Sequence, residues 1–356
     1  MPLTWDIFCR VIDNHGDVGV CWRLCADLAT RGHPTRLWID QADALAWMAP
    51  SGHPGVEVRA WDDAQRIDAV GDVVVEAFGC ELPDPVQQQL ARQPRTVWLN
   101  LEYLSAEAHV ARQHGLPSPV MSGPAKGLTK WFFFPGFETG TGGLLREPDL
   151  LARQQRFDSD AWLTQLGVAP RANAQRVSLF CYEPAALPHW LQQLAVAPTP
   201  TELLVTPGRA SQAVAQALSV LNWSSRGQGA LQLHALPYLS QPDYDHLLWA
   251  CDLNCVRGED SLVRALWAGK PLLWHIYPQD DDAHHAKLDA FAPTLQMPET
   301  LRAWHRAWNS VSTHLPEWPD APTRQSWQAW SLNARAALMA QTDLVSQLLR
   351  FVAQKR

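Results

Sequence analysis

Short apolar, strand-like runs alternate with helix-like segments along all 356 residues, and the alternation breaks once and then restarts. In the first series, strand patterns cover 5–12, 35–40, 56–61, 72–78, 95–101 and 131–134, the last stopped by Pro135. A helix pattern runs from about 20 to 30 and another from 83 to 92, with a turn at Arg31–Pro34. Glycines and charges then cluster over 136–147, as expected of a linker. The second series places strands at 176–182, 203–206, 231–235, 252–256 and 271–276. Helices at 187–194, 213–220, 244–250, 262–268 and 284–291 separate or follow them. Repeated βα units build parallel sheets with helices on both faces. The fold class is therefore α/β, with two Rossmann-like domains facing each other across a cleft and ligand loops at the carboxyl ends of the strands. The expected domains are 1–150 and 151–322. A strandless helical stretch, 323–356, is expected to pack back on the first domain.

Composition narrows the function. No run approaches the roughly 20 apolar residues that span a bilayer, and the first residues lack a basic region and an apolar signal core. A cytoplasmic protein is expected. The seven cysteines are odd in number and form no CxxC pair, which suits reduced thiols. A net charge of −7 without a basic stripe argues against nucleic acid and suits a cationic partner. Of the 18 tryptophans, Trp304, Trp308, Trp327 and Trp330 recur at helical spacing and read as packing.

Two strand-to-helix corners carry candidate chemistry. Arg257, Gly258, Glu259, Asp260 and Ser261 follow the 252–256 strand, with Asp260 or Ser261 expected to start the next helix. A cation, a glycine and a helix start suit a phosphate; an ordinary capped helix with a surface arginine fits equally. At the first corner, Asp13, Asn14, His15, Gly16, Asp17, Val18 and Gly19 stand where dinucleotide enzymes place GxGxxG. Two carboxylates would repel a pyrophosphate, so a base or a cation-binding role fits better; capping of loop and helix is the alternative. Phe180 and Tyr182 end a strand, while Tyr238 and Tyr244 flank Gln241. These aromatics either stack on a nucleobase or simply pack, and together with the Arg257 corner they lay out a nucleotide-sugar site. The Asp280–Asp282 run, with His284 and His285 nearby, could hold a metal. Its place before a helix explains it as charge at a helix start, and no metal is expected.

With these residues in view, the run Trp5–Leu24 resembles the opening of the EarP family, protein-arginine rhamnosyltransferases that modify elongation factor P. Tyr244–Ser261 resembles the family's second signature, and Trp274–Asp280 also fits. The resemblance implies a GT-B fold, a dTDP-β-L-rhamnose donor, elongation factor P as acceptor, inversion to α-rhamnosyl arginine, and no cofactor or membrane partner. It makes the first domain acceptor-binding and the second nucleotide-sugar-binding. The family's catalytic carboxylates fall on Asp13, Asp17 and Glu259. Its donor contacts fall on Phe180, Tyr182, Gln241, Arg257 and the turn through Ser261. The family more often has Tyr or Phe where this chain has His15, and often Phe near Tyr238 and Tyr244.

A guanidinium with pKa above ~12 and a carboxylate near ~4 differ by roughly eight units, about 11 kcal/mol, so deprotonation before attack is excluded. Asp17 is expected to accept the proton as the N–C bond forms, with Asp13 orienting the guanidinium. Arg257 and the Gly258–Ser261 turn are expected to hold the growing charge of the diphosphate. Glu259 either bonds the nucleotide sugar or positions Arg257. The alternatives are a GT-B transferase or epimerase acting on a small sugar or lipid, and a non-catalytic nucleotide-binding interaction module.

Overall fold

The computed structural model describes residues 1–12, 15–169, 171–278 and 283–356. The chain divides into two units, Met1–Pro148 with Ala340–Arg356, and Asp149–Met339.

The first unit contains β1 (Trp5–Cys9), α1 (Gly16–Thr30), β2 (Thr35–Ile39), α2 (Leu45–Met48), β3 (Val56–Ala60), β4 (Val73–Ala77), α3 (Asp84–Arg92), β5 (Val97–Leu101), α4 (His109–Gln113), β6 (Pro117–Pro119) and β7 (Thr129–Phe133). Its sheet runs β3-β2-β1-β4-β5-β7-β6, parallel except where β6 meets β7. Every residue of β1, β4 and β5 is buried, which is why these strands read as apolar runs with a single polar residue each. The polar residues inside them are matched. Asp6 of β1 accepts from Arg36, from Trp38 Nε1 at 2.8 Å and from the Gly71 N–H at 2.6 Å. Glu76 of β4 pairs with Lys130 at 3.1 Å. Helix α1 covers one face of the sheet over Ile7, Val75 and Leu99; Phe8, Trp38, Trp61 and Val86 of α3 fill the other.

The second unit contains α5 (Leu150–Gln155), α6 (Ser159–Gln165), β8 (Gln175–Leu179), α7 (Leu187–Ala195), β9 (Thr201–Val205), α8 (Arg209–Leu221), β10 (Gly227–Gln228), β11 (Leu231–Ala235), α9 (Gln241–Ala250), β12 (Leu253–Arg257), α10 (Gly258–Ala268), β13 (Leu272–His275), α11 (Ala283–Thr294), α12 (Glu299–Trp308) and α13 (Ala321–Met339). The sheet runs β10-β11-β9-β8-β12-β13 and is parallel apart from the β10 edge.

The C-terminal helices divide between the units, which corrects the expectation that 323–356 packs as one piece on the first domain. Helix α13 stays with the second unit, where Trp330 Nε1 donates to Leu295 O at 2.7 Å and Gln328 Nε2 to Gly269 O at 2.9 Å. Only α14 (Leu344–Lys355) joins the first unit. Its Leu344, Val345, Leu348 and Val352 enter the core beside α1, and Arg31 of α1 reaches Asp343 at 2.8 Å and Ser346 at 2.7 Å. Thus α14 supplies an amphipathic face that the first unit buries.

Candidate active site

In the second sheet the strand order reverses at β8, which has β9 on one side and β12 on the other. Loops leaving the carboxyl ends of two such strands diverge, and ligands of open α/β sheets settle in the gap. Phe180 and Tyr182 follow β8, and Arg257 ends β12. The Arg257 guanidinium carbon lies 4.5 Å from the ring centre of Phe180 and 4.7 Å from that of Tyr182. Its Nη1 donates to the Cys181 carbonyl at 3.4 Å. Arg257 is 6% exposed, and among the described residues no carboxylate pairs with it. A guanidinium cannot discharge itself, and this cation, taken far out of water, has two ring faces and a carbonyl in contact, with the Glu183 charge acting from beyond ion-pair distance. That is the electrostatic character of a site awaiting an anion.

The helix beside it starts earlier than its sequence suggests. Arg257 has an extended backbone, and α10 begins at Gly258, three residues before Ser261. Gly258 has φ +65°, a conformation that other residues enter only with strain. Ser261 therefore does not start the helix: its hydroxyl accepts from the Arg257 N–H at 3.1 Å and donates to the Arg257 carbonyl. The hydroxyl thus locks the corner on which the guanidinium is mounted. Glu259 and Asp260 occupy the first turn, where acidic groups favour the helix dipole. Glu259 lies 3.6 Å from Lys287 Nζ. Beneath the corner, Arg264 of α10 and Asp245 of α9 form a buried fork at 2.6 and 2.8 Å, each side chain 1% exposed.

The other predicted donor contacts distribute unevenly. Tyr244 sits in α9 with its ring edge against Phe180 at 5.5 Å, and burial pushes its phenol above the usual value. Gln241 is the buried first residue of α9, just after Ser240, whose hydroxyl accepts from the Asp243 N–H. Tyr238 is 54% exposed in the segment before α9. The sequence reading missed residues around Tyr182. His275 and Tyr277 pack edge-on to its ring at 5.3 and 5.6 Å. The Arg209 guanidinium lies 4.7 Å from the same ring while Nε donates to Glu183 at 2.7 Å. Burial lowers His275 to about 3, so its ring is neutral. A signal for Arg209 existed, since Gly208-Arg209 at a strand-to-helix corner has the same form as Arg257-Gly258, in the opposite order.

In the first sheet the order reverses at β1, between β2 and β4. Asp13 and Asn14 lie outside the described residues, as do Asp280, Asp281 and Asp282. His15 stands at the N-cap position of α1, its ring edge-on to Trp47 at 5.1 Å. Helix α1 begins at Gly16, four residues before the expected start, which puts Asp17 in its first turn. Asp17 is 2% exposed, and its Oδ2 accepts from the Ile12 N–H at 2.8 Å. The loop thus holds the carboxylate in one orientation, at the positive end of a helix.

Comparison with known proteins shows the family and the fold. The family model described as Elongation-Factor P (EF-P) rhamnosyltransferase EarP matches residues 5–353. The chain is 44% identical to the protein-arginine rhamnosyltransferase of Pseudomonas aeruginosa, over 98% of this chain and 99% of that protein. It is 45% identical to the protein of the same name from Pseudomonas putida, over 99% of each. A solved structure concerning EarP-mediated arginine glycosylation of elongation factor EF-P is similar at TM-score 0.70 and 34% identity, covering 99% of both chains. MurG of Acinetobacter baumannii, at TM-score 0.51 and 12% identity over the whole of this chain but for 1%, shares the fold alone. The chain is a glycosyltransferase of the GT-B fold, built from two Rossmann-like domains, and belongs to the EarP family of elongation factor P rhamnosyltransferases.

Proposed function

We propose that this chain transfers L-rhamnose from dTDP-β-L-rhamnose to an arginine side chain of translation elongation factor P, with inversion at the anomeric carbon. The observation that carries the donor half is Arg257, a 6% exposed cation with no carboxylate partner among the described residues. A diphosphate is the anion such a site fits, because the α10 N-terminus adds its dipole to the guanidinium. Phe180 and Tyr182 hold Arg257 in place; with Gln241, Tyr238 and Tyr244 they are assigned to the donor. The acceptor half rests on family membership and on the buried, oriented carboxylate of Asp17.

In the reaction, a guanidinium nitrogen forms a bond to the anomeric carbon while the bond from that carbon to the diphosphate oxygen breaks. The bonding electrons leave with the diphosphate, whose charge Arg257 and the first turn of α10 stabilise. The attacking nitrogen becomes acidic as the bond forms, and Asp17 takes its proton. Asp13 is assigned to orienting the guanidinium, and Glu259 to accepting a hydrogen bond from the donor's sugar. The weakly basic leaving group needs no proton, and the mechanism assigns no metal or cofactor. A translation factor as acceptor places the activity in the cytoplasm; no helix among the described residues is long and apolar enough to cross a membrane.

Incubation with elongation factor P and dTDP-β-L-rhamnose should add the mass of one deoxyhexose to the acceptor, and NMR of the product should show the α-anomer. No mass gain refutes the activity; a β-anomer refutes inversion.

A further inference from the structure

The carboxyl edge of the first sheet carries a group of residues that the reaction above leaves unused. Strand register pairs Phe8 with Glu76, Glu76 with Asn100, and Asn100 with Phe132. Two residues further on, Arg10, Phe78, Glu102 and Phe134 therefore leave the sheet at one level. Strand spacing of about 4.8 Å separates β1 from β5 there by about 10 Å. Phe78 has φ +57°, a conformation that strains a bulky residue. Its N–H is held by the Leu101 carbonyl at 2.7 Å. The turn lays the Phe78 ring nearly flat on that of Tyr103, at 4.4 Å and 12°, and Phe78 packs against the core face that α1 covers.

Glu102 is half-buried beside this stack in sequence. Its Oε1 accepts from Asn100 Nδ2 at 2.7 Å, and Asn100 Oδ1 accepts from the Gly79 N–H at 3.2 Å. The backbone of the loop after β4 thus fixes Asn100, and Asn100 fixes the carboxylate. Burial raises the Glu102 carboxyl above its usual value; the Asn100 hydrogen bond opposes the rise, and the charge of Glu76 adds to it. Lys130, which pairs with Glu76, and His109 each lower the Glu102 carboxyl, but the rise persists. A cation in direct contact with the carboxylate would relieve the remaining cost of its desolvation.

A guanidinium meets both features, since it stacks on aromatic faces and donates to a carboxylate through a planar fork. We propose that Glu102, aimed by Asn100, and the Phe78–Tyr103 stack form the subsite that grips the acceptor's guanidinium. The proposal rests on the reading of arginine as acceptor and names the groups that hold it. Glu102 takes no proton and no electrons in the reaction; it anchors N–H groups that do not attack, leaving the attacking nitrogen to Asp17.

The test is a double-mutant cycle in binding, measured by calorimetry without donor. Elongation factor P, and its variant with the acceptor arginine changed to alanine, are titrated against the wild-type enzyme and Glu102→Gln. The acceptor change should weaken binding to wild type about tenfold and to Glu102→Gln less than twofold. In turnover, Glu102→Gln should raise KM for elongation factor P about tenfold and leave dTDP affinity unchanged. Equal losses in both enzymes, or an unchanged KM, overturn the subsite. Should a circular-dichroism melt show that Glu102→Gln does not fold, Tyr103→Leu enters the same cycle with the same expectation. Failure of the underlying activity has a different signature: wild-type enzyme with dTDP-β-L-rhamnose leaves the acceptor's mass unchanged, while the binding cycle still decides the fate of Glu102.

Discussion

Replacing Arg257 with alanine separates a structural cation from one held ready for a ligand. In a structural role the side chain would contribute net stability through its contacts. Those contacts are two ring faces at 4.5 and 4.7 Å and one carbonyl at 3.4 Å. Against them stands the cost of burying a charge with no carboxylate partner among the described residues. Desolvated cation–π contacts contribute about 2 kcal/mol, and burying an uncompensated charge costs several kcal/mol. The two nearly cancel, so the melting temperature of Arg257→Ala should stay within about 2 °C of wild type or rise. Donor binding should behave otherwise. Hydrogen bonds to a charged group contribute roughly 1.5–3 kcal/mol, so calorimetry with dTDP should show affinity about 10- to 150-fold weaker. Arg257→Lys keeps the charge but loses the planar fork, and should fall between the two. Affinity for dTDP within threefold of wild type, or a melting temperature lower by many degrees, would refute the reasoning.

Asp17→Asn keeps an acceptor for the Ile12 N–H but cannot take a proton, so turnover should fall by about 10² or more with dTDP affinity unchanged. Near-normal rhamnosylation by that variant would remove Asp17 as base. Arg264→Met removes the buried fork at 2.6 and 2.8 Å from Asp245, whose contact with Arg153 is longer at 3.6 Å, and should cost about 3–5 kcal/mol in a denaturant melt. Adding Asp245→Leu should restore part of that stability; a further loss would contradict it. Burial lowers His275 to about 3 and His305 to about 4, both below the unfolded value of ~6.5. The unfolded chain therefore binds the extra protons as pH falls. Stability from the neutral rings is complete above pH ~6.5 and is lost on acidification toward 4 and 3, by about 2 kcal/mol per histidine between pH 7 and pH 5. His305→Gln, which can still donate to Leu272, should roughly halve that acid loss; an undiminished loss would reject the assignment.

The sheets were legible because buried parallel strands advertise themselves. The runs containing β1, β4, β5 and β12 are almost wholly apolar, and the expected strands there differ from those observed mainly at their ends. Helix starts were read less well because capping chemistry is not a matter of residue type alone. Asp260 and Ser261 have the composition of a cap, yet the helix begins at Gly258, since a positive φ there lets the chain turn directly out of β12. Helix α12 escaped because its pattern was taken only as tryptophan spacing; Trp304 and Trp308 are its buried face. Single-sequence reading names Phe180, Tyr182 and Arg257 as candidates but cannot see that the rings bracket the guanidinium, because that depends on β8 and β12 being neighbours. Asn100 and Glu102 do not stand out in the sequence for the same reason. A polar pair two residues apart at a strand end means little until the register brings Phe78 and Gly79 alongside.

The same strand order serves opposite electrostatics in the two units. Both sheets reverse at their first strand, β1 or β8, so each offers a gap between loops at the same topological point. What differs is which charge each loop carries. The second unit mounts a guanidinium on the strand beside the reversal, stiffened by two aromatic rings and a serine that bonds back to its backbone. The first mounts carboxylates, Asp17 tied to the Ile12 N–H and Glu102 tied to Asn100. On the proposed reaction the guanidinium of the second unit suits an anionic leaving group and the carboxylates of the first a cationic acceptor, while Glu259 and Asp260 in the first turn of α10 keep acidic groups at the second corner as well. Arg257 and Asp17 are buried and Glu102 half-buried, and fixed neighbours hold each of them, two rings and a carbonyl, the Ile12 N–H and Asn100 in turn, so little reorganisation remains when the substrate arrives. Specificity for a guanidinium over an ammonium then depends on planarity. A lysine in place of the acceptor arginine keeps the charge for Glu102 but has no flat face for the Phe78–Tyr103 stack.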